Sequence, residues 1–242
     1  MAKKYLDIDV LTAAQERISY AFDEFTRLYV SFSGGKDSSV MLHLVMDEAI
    51  KRNRKVGVLV VDLEAQYKLT IDHIQIMLDQ YKEYIEPYWV CLPIALRNAV
   101  SQFEPKWTCW GNGVEWVRQP PKMGITDHTY FPFFHYDMEF EEFVPAFGHW
   151  YGGDQLTACF VGIRADESLN RYRTIVRDKS RYEDKGFTTW CGQGLYNVYP
   201  IYDWRTEDIW TYNSRFSKPY NKLYDLMHQA GLTIHQQRIC QP

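Results

Sequence analysis

The sequence predicts an α/β fold, an open and doubly wound sheet of mostly parallel strands interrupted by an aromatic-rich insertion. Short β-branched and aromatic runs alternate with segments of helical period along most of the chain. Two of those runs, LYVSF at 28–32 and VGVLVV at 56–61, are almost wholly apolar, as strands covered on both faces are. The 242 residues contain no tandem repeat and no Gly/Ser linker. A single domain spanning 1–242, with the insertion at about 101–153, accounts for the length.

Asp9 stands where an N-cap belongs, ahead of a helix whose Leu11, Ala14, Ile18, Phe22 and Phe25 recur at helical spacing. The strand at 28–32 is stopped by the tight turn Ser33-Gly34-Gly35, and SSVMLHLVMDEAIKR, from Ser38, reads as the next helix. The strand at 56–61 ends at Asp62. A long helix is expected over about 66–85, with Leu69, Ile74, Met77, Leu78, Tyr81 and Ile85 on one side, and WVCLPI at 89–94 as the third strand. Between 101 and 153 neither period holds, and the stretch is crowded with aromatics, prolines and glycines. Regular structure resumes with LTACFVG at 156–162, an arginine-rich segment, LYNVYPI at 195–201, and the short helices DWRTEDIWTYNSR and KLYDLMHQAG. In such a sheet, ligands belong at the carboxyl ends of the strands.

Apolar residues make up 46% of the chain and charged residues 24%, the balance of a folded globule rather than a disordered chain. A net charge of −4 leaves no global basic footprint, so direct binding of nucleic acid is not expected and any polyanion site must be local. Cys91, Cys109, Cys159, Cys191 and Cys240 lie far apart, with no pair separated by two residues. That spacing gives no disulfide framework and no zinc or iron–sulfur signature. No apolar stretch follows the lysines of MAKKYLDIDV and nowhere do 18 apolar residues run together. A reducing cytoplasm, without a membrane, is the expected setting.

The chemistry concentrates in Ser33-Gly34-Gly35-Lys36-Asp37-Ser38-Ser39, between a strand and a helix. Adjacent glycines allow a tight turn, and successive N–H groups then point into one concavity at a helix N-terminus, which holds phosphate. Ser33, Ser38 and Ser39 add hydroxyls and Lys36 adds positive charge. Asp37, an acid in an anion site, makes sense if it fixes the loop or holds Mg²⁺. The segment is not a Walker A loop. Asp62 and Glu64 end the second strand at the same edge, where they either reach ribose hydroxyls or a metal ion or cap the next helix.

VSFSGGKDSSVMLHL at 30–44 resembles the PP-loop of the N-type ATP pyrophosphatases and adenine-nucleotide alpha-hydrolases, which have the HUP-like version of this fold. FVGIRADES at 160–168, with Gly162, Arg164 and Glu167, is similar to the glycine-x-arginine-x-x-glutamate segment of the branch containing phosphoadenosine phosphosulfate (PAPS) reductases. YPIYDWRTEDIW at 199–210 is similar to that branch's P-[LI]-x-D-W-x-x-x-D-[IV]-W segment. The resemblance covers about 30–240. It implies ATP, or a related adenine nucleotide, bound with Mg²⁺ and cleaved between the α and β phosphates, so that AMP passes to an unknown acceptor and pyrophosphate leaves. Lys36, Asp37 and Arg164 become the catalytic candidates. Residues 33–39, Asp62, Glu64, Gly162, Arg164 and Glu167 become the nucleotide-binding ones. Arg164 would stabilise the charge building on the leaving pyrophosphate, or else pair with Asp166 or Glu167. Asp203 reads as a helix cap, with Glu207 and Asp208 in the first turns and Trp210 packed inward.

The chain departs from the PAPS reductases in lacking their C-terminal E-C-G-[IL]-H segment. Reduction of a sulfonucleotide, or sulfur transfer, would then fall to Cys240 or Cys191. The nearest resemblance within the branch is to the immunoglobulin-binding-regulator A type, found in mobile elements beside a ParB/sulfiredoxin-like protein. Its members are commonly longer, whereas this chain stops just after RICQP. A nucleotide-sensing regulatory subunit that turns over nothing is the third reading. Arg171, Arg173, Arg177, Lys179 and Arg181 form either a solvated face or a site for an anionic acceptor. Trp107, Trp110, Trp116, Phe133, Phe134, Trp150 and Tyr151 either stack on a base or form a satellite core. Residues 135–154 hold Asp137, Glu139, Glu141, Glu142 and Asp154 with no Lys or Arg, which favours a protein partner with a basic face over nucleic acid. His135 and His149 lack metal-ligand spacing.

Overall fold

The computed structural model describes residues 7–98, 103–176 and 180–239. Helix α1 (Val10–Glu24) begins at Asp9, whose Oδ1 accepts from the Leu11 and Thr12 amides at 3.0 Å each. Strand β1 (Arg27–Ser31), helix α2 (Lys36–Lys51), strand β2 (Val56–Val61), helix α3 (Lys68–Gln80) and strand β3 (Ile85–Val90) follow in the alternation the sequence predicts.

Beyond them come β4 (Ile94–Arg97), β5 (Lys106–Thr108), β6 (Gly124–Ile125), β7 (Met138–Glu139), helix α4 (Phe140–Gly152) and β8 (Thr157–Val161). The chain closes with α5 (Leu169–Val176), β9 (Thr188–Gly192), β10 (Leu195–Val198), α6 (Thr206–Arg215) and α7 (Leu223–Gln229). The main sheet runs β6-β3-β2-β1-β8-β10-β9, parallel except for β9, while β5-β4-β7 make a small second sheet. Consecutive strands leave β1 on one side through β2 and β3 and on the other through β8 and β10. The strand order therefore reverses at β1 and β8, and a crevice opens at their carboxyl ends.

Several boundaries differ from expectation. Helix α3 stops at Gln80, and the third strand begins at Ile85 rather than at Trp89. Tyr81 and Ile85 are both buried, as the helical spacing implied. However, the Tyr84 amide turns back to the Tyr81 carbonyl, and the Val56 amide then takes the Tyr84 carbonyl into the β2–β3 ladder. Asp203 caps no helix: it forms a two-point ion pair with Arg17 at 2.7 and 2.8 Å, and Asp208 caps α6 by accepting from the Arg205 amide at 2.7 Å. Trp204 is buried and donates to the Val10 carbonyl, while half-buried Trp210 meets the rings of Tyr220 and Tyr224 edge-on.

The aromatic segment divides in two. Its last part, α4, lies on the main sheet, with Phe143, Phe147 and Tyr151 in the core. The Tyr151 hydroxyl donates to the Leu28 carbonyl and accepts from the Gly57 amide, each at 3.0 Å, and a Cβ on Gly57 would stand 2.8 Å from the ring. Tyr151 and Trp150 are therefore packing residues, as are Phe133 and Phe134, which join the same aromatic cluster. The earlier part forms the small sheet and its loops. Among the described residues no helix is long and apolar enough to cross a membrane.

Candidate functional site

The turn after β1 depends on Gly34, whose φ of +72° suits a residue without a side chain and whose absent Cβ would lie 2.9 Å from Ile74 Cγ1. Gly35 is the N-cap of α2, so the α2 amides open toward the crevice. Gly162 allows the end of β8 to approach, since a Cβ there would meet Ser38 Cα at 3.0 Å. Asn221, which no sequence pattern marked, holds the turn from the far end of the chain. Its Nδ2 donates to the Gly34 carbonyl at 3.1 Å and to Thr70 Oγ1 at 2.9 Å, and its Oδ1 accepts from the Leu223 amide. The Tyr224 hydroxyl accepts from the Lys36 amide at 3.0 Å.

The three serines separate by role. Ser33 and Ser38 share a hydrogen bond at 3.0 Å and both line the cavity above the loop. Ser39 is fully buried, donates to the Gly35 carbonyl at 2.8 Å, and lies 2.8 Å from His73 Nε2. Burial pushes the His73 ring down to about 4, so at neutral pH it is uncharged and its Nε2–H serves as the donor to Ser39. Ser39 braces the loop and does not face the ligand.

Arg164 and Lys36 converge on Asp37. The guanidinium Nε of Arg164, 2% exposed, donates to Asp37 Oδ1 at 2.5 Å, and Lys36 Nζ lies 3.2 Å from Asp37 Oδ2. The pairing of Arg164 with Asp166 is looser, at 4.0 Å. Lys36 Nζ also donates to the Gln237 carbonyl at 3.3 Å. Glu167 accepts from Arg171 at 2.8 Å, and Arg238 donates to the Glu167 carbonyl at 3.0 Å. Two buried cations thus share one buried carboxylate at the loop. Both oxygens of Asp37 are engaged by these cations, and among the described residues no group of three His, Cys, Asp or Glu side chains could hold a metal ion. The Mg²⁺ expected on Asp37 does not fit this arrangement.

A cavity of about 410 Å³ lies over the loop. Its lining mixes polar and charged side chains, among them Ser33, Lys36, Asp37, Ser38, Glu167 and Arg171, with apolar ones, among them Phe32, Leu59, Val61 and Phe140. A smaller cavity of about 130 Å³ shares Lys36, Glu167 and Arg238 with it and has Arg164 in its lining. Arg173 is exposed on α5, and Arg177 and Lys179 lie outside the described residues.

Asp62 and Glu64 do not line the cavity. Asp62 accepts from Trp89 Nε1 at 2.9 Å, from the Glu64 amide at 2.9 Å and from Arg118. Glu64 accepts from the amides of Trp110 at 2.5 Å and Val117 at 2.7 Å. The oxygens of Glu64 are taken up by the insertion, and those of Asp62 by β3, the Glu64 amide and the insertion's Arg118, rather than left for ribose or metal. Cys91, Cys109 and Cys159 are buried, and burial pushes the Cys109 and Cys159 thiols up to about 12 and that of Cys91 further still. Among the described residues no cysteine lines the cavity; Cys240 lies outside them.

A glycine turn feeding a helix N-terminus at the switch point of a mostly parallel sheet gives the chain an α/β fold of the HUP type. The chain belongs to the phosphoadenosine phosphosulfate reductase domain family, which matches it over residues 27–92 and 145–229. The unmatched interval holds the small sheet and the first turn of α4. The uncharacterized protein YbdN of Escherichia coli K12 is 44% identical over 241 residues, covering 98% of this chain and 59% of that protein. The uncharacterized protein MJ0973 of Methanocaldococcus jannaschii is 26% identical over 199 residues, covering 81% of this chain and 38% of that protein. The chain thus spans 59% and 38% of the two relatives' lengths. Among solved structures, FMN adenylyltransferase of Candida glabrata in complex with FAD and inorganic pyrophosphate superposes with a TM-score of 0.53 at 14% identity. That superposition covers 89% of this chain and 59% of that one, and shows the shared fold.

Proposed function

We propose that the protein binds ATP, or a closely related adenine nucleotide, over the 33–38 loop and cleaves it between the α and β phosphates, passing AMP to an acceptor and releasing pyrophosphate. The observation that carries this reading is the pair of buried cations, Lys36 and Arg164, sharing Asp37 beside a cavity lined by both polar and apolar side chains. A polyphosphate adds a stronger anionic partner for these cations, and a base packs against the apolar part of the lining. Phosphate oxygens accept from the amides of the α2 N-terminus and from the Ser33 and Ser38 hydroxyls. Lys36 exchanges the Gln237 carbonyl for a phosphate oxygen, a stronger partner because it is charged.

Arg164 stays tied to Asp37, which fixes its guanidinium beside the adjoining cavity. A cation held in advance where charge develops stabilises the departing pyrophosphate without reorganising in the transition state. FMN adenylyltransferase, with the same fold, was solved with its FAD and with pyrophosphate, which supports the reading by analogy. Cysteine-based sulfonucleotide reduction finds no support among the described residues, whose buried thiols are held protonated and lie away from the cavity. Incubation with α-labelled ATP and candidate acceptors tests the proposal. Labelled AMP or adenylylated acceptor, with pyrophosphate, is the expected result; labelled ADP with inorganic phosphate would overturn it.

A further inference from the structure

The small cavity beside the loop differs in kind from the main one. Eight residues line it and Ile234 alone among them is apolar, whereas the main cavity has Phe32, Leu59, Val61 and Phe140 in its wall. So little apolar surface offers nothing to a ring and suits a small charged ligand. Ile234, His235 and Arg238 belong to the segment after α7, beyond residue 229, where the family match ends. The framework common to the family therefore supplies only part of this cavity.

Three cations reach it, and they are unequally committed. Lys36 and Arg164 are tied to Asp37, Arg164 through its Nε, while Arg164 Nη1 donates to the Trp204 carbonyl only at 3.4 Å. Arg238 forms no ion pair among the described residues. Its Nη2 donates to a neutral acceptor, the Glu167 carbonyl, at 3.0 Å. A guanidinium carries five N–H donors in a fixed fork, so Arg238 keeps donors for a charged partner. Thr206, the first residue of α6, lies in the same wall and is 5% exposed, and its hydroxyl forms no hydrogen bond among the described residues. Hydroxyls this buried are nearly always paired.

The two carboxylates in the wall do not supply that partner. Glu167 accepts from Arg171 at 2.8 Å and from the Arg164 amide at 3.4 Å. Asp166 is half exposed and stands 4.0 Å from Arg164 Nη1, a weak contact that a bound anion can displace. The hydroxyls of Ser33 and Ser38 line the main cavity and not this one, so the phosphates of a nucleotide on the loop have their own donors elsewhere. We propose that the small cavity is a second anion site, in which Arg238, Arg164 and Thr206 hold a tetrahedral oxyanion carried by the acceptor, a phosphate group in the first instance. The anion site stands on its own lining; its assignment to the acceptor rests on the nucleotide reading of the main cavity.

Equilibrium binding of inorganic phosphate, with and without saturating ATP, tests it on the wild-type chain and on three variants. Arg238→Gln is expected to weaken phosphate binding by about tenfold or more, and Thr206→Val by about two- to tenfold. Asp166→Asn removes the competing carboxylate and is expected to tighten it by about two- to fivefold. Arg238 and Asp166 are both exposed, so neither substitution threatens the fold. Thr206 and Asp166 line only the small cavity, so their effects locate the phosphate there. Phosphate should bind equally well with ATP in place. Phosphate binding that none of the three substitutions changes overturns the anion site. Phosphate that ATP drives off overturns the assignment to the acceptor, because the nucleotide's own phosphates then fill the cavity. A chain that binds phosphate in the expected pattern but no ATP keeps the anion site and loses both the nucleotide reading and the acceptor.

Discussion

Two neighbouring strand ends on the carboxyl edge of the sheet carry buried carboxylates, and they use them in opposite ways. After β1, Asp37 is flanked by Lys36 and Arg164, all from the predicted loop and the β8 segment, and it borders the cavity. After β2, Asp62 accepts from Trp89 of β3 and from Arg118 of the insertion, Glu64 accepts from the Trp110 and Val117 amides of the insertion, and neither lines the cavity. One carboxylate organises cations beside the cavity; the other two anchor an added layer. The chemical type and strand-end position are the same. The difference lies in which remote segment supplies the partners.

The largest expected effect separates the two strand ends. Asp62→Ala leaves Arg118 and Trp89 Nε1 without their acceptor and is expected to destabilise the fold by about 3–5 kcal/mol. Urea unfolding measures that loss. Tripolyphosphate binding by the folded fraction should stay near wild type, and its disappearance would erase the distinction between the strand ends.

Acid should attack the β1 end in a way the β2 end does not share. His43, on α2, and His73, on α3 against Ser39, are both pushed down to about 4 by burial. Each folded-state value lies below that of the unfolded chain, so the unfolded state binds more protons in between. Stability from the two rings is complete above about pH 6.5 and falls as pH drops toward 4, by on the order of 3 kcal/mol per ring. Unfolding free energy against pH should slope across that window and flatten in the His43→Gln, His73→Gln double variant. A wild-type profile that is flat there would contradict the buried neutral rings.

Lys36→Met should lower ATP affinity by roughly ten- to a hundredfold, the effect of one charge-assisted contact, with little change in the unfolding midpoint because Asp37 keeps Arg164. Calorimetric titration reads the affinity. Unchanged binding would place the phosphates away from Lys36. The smallest effect is expected at a third place, remote from both strand ends. Arg17→Leu breaks the partly exposed pair with Asp203 and should cost about 1 kcal/mol or less in unfolding free energy, with ATP affinity unaltered.

Much of the framework was legible because its causes are local. Asp9 as a cap, the strand at 56–61 and the turn at Ser33–Gly35 each follow from a few adjacent residues. The end of α3 was not legible. Tyr81 and Ile85 continue a helical stripe, but pairing of β3 with β2 competes for the same backbone groups and prevails. Helix α4 was missed because Pro145 and its dense aromatics obscure the period, although only the first turn of a helix readily accepts proline. Ser39 looked like its neighbours in the loop, and only the position of His73 shows that it faces inward.

The sequence by itself determined the class of sheet, the loop that opens its central crevice, and the residues Lys36, Asp37 and Arg164 that meet there. Those features depend on steric freedom at glycine and on hydrophobic period, both properties of contiguous residues. Only the tertiary structure decided that Asp37 is held by two cations, that Asp62 and Glu64 anchor the insertion, and that Asn221 secures the turn. A buried polar group takes its role from the partner that satisfies it, and here those partners come from segments far along the chain that only folding brings together.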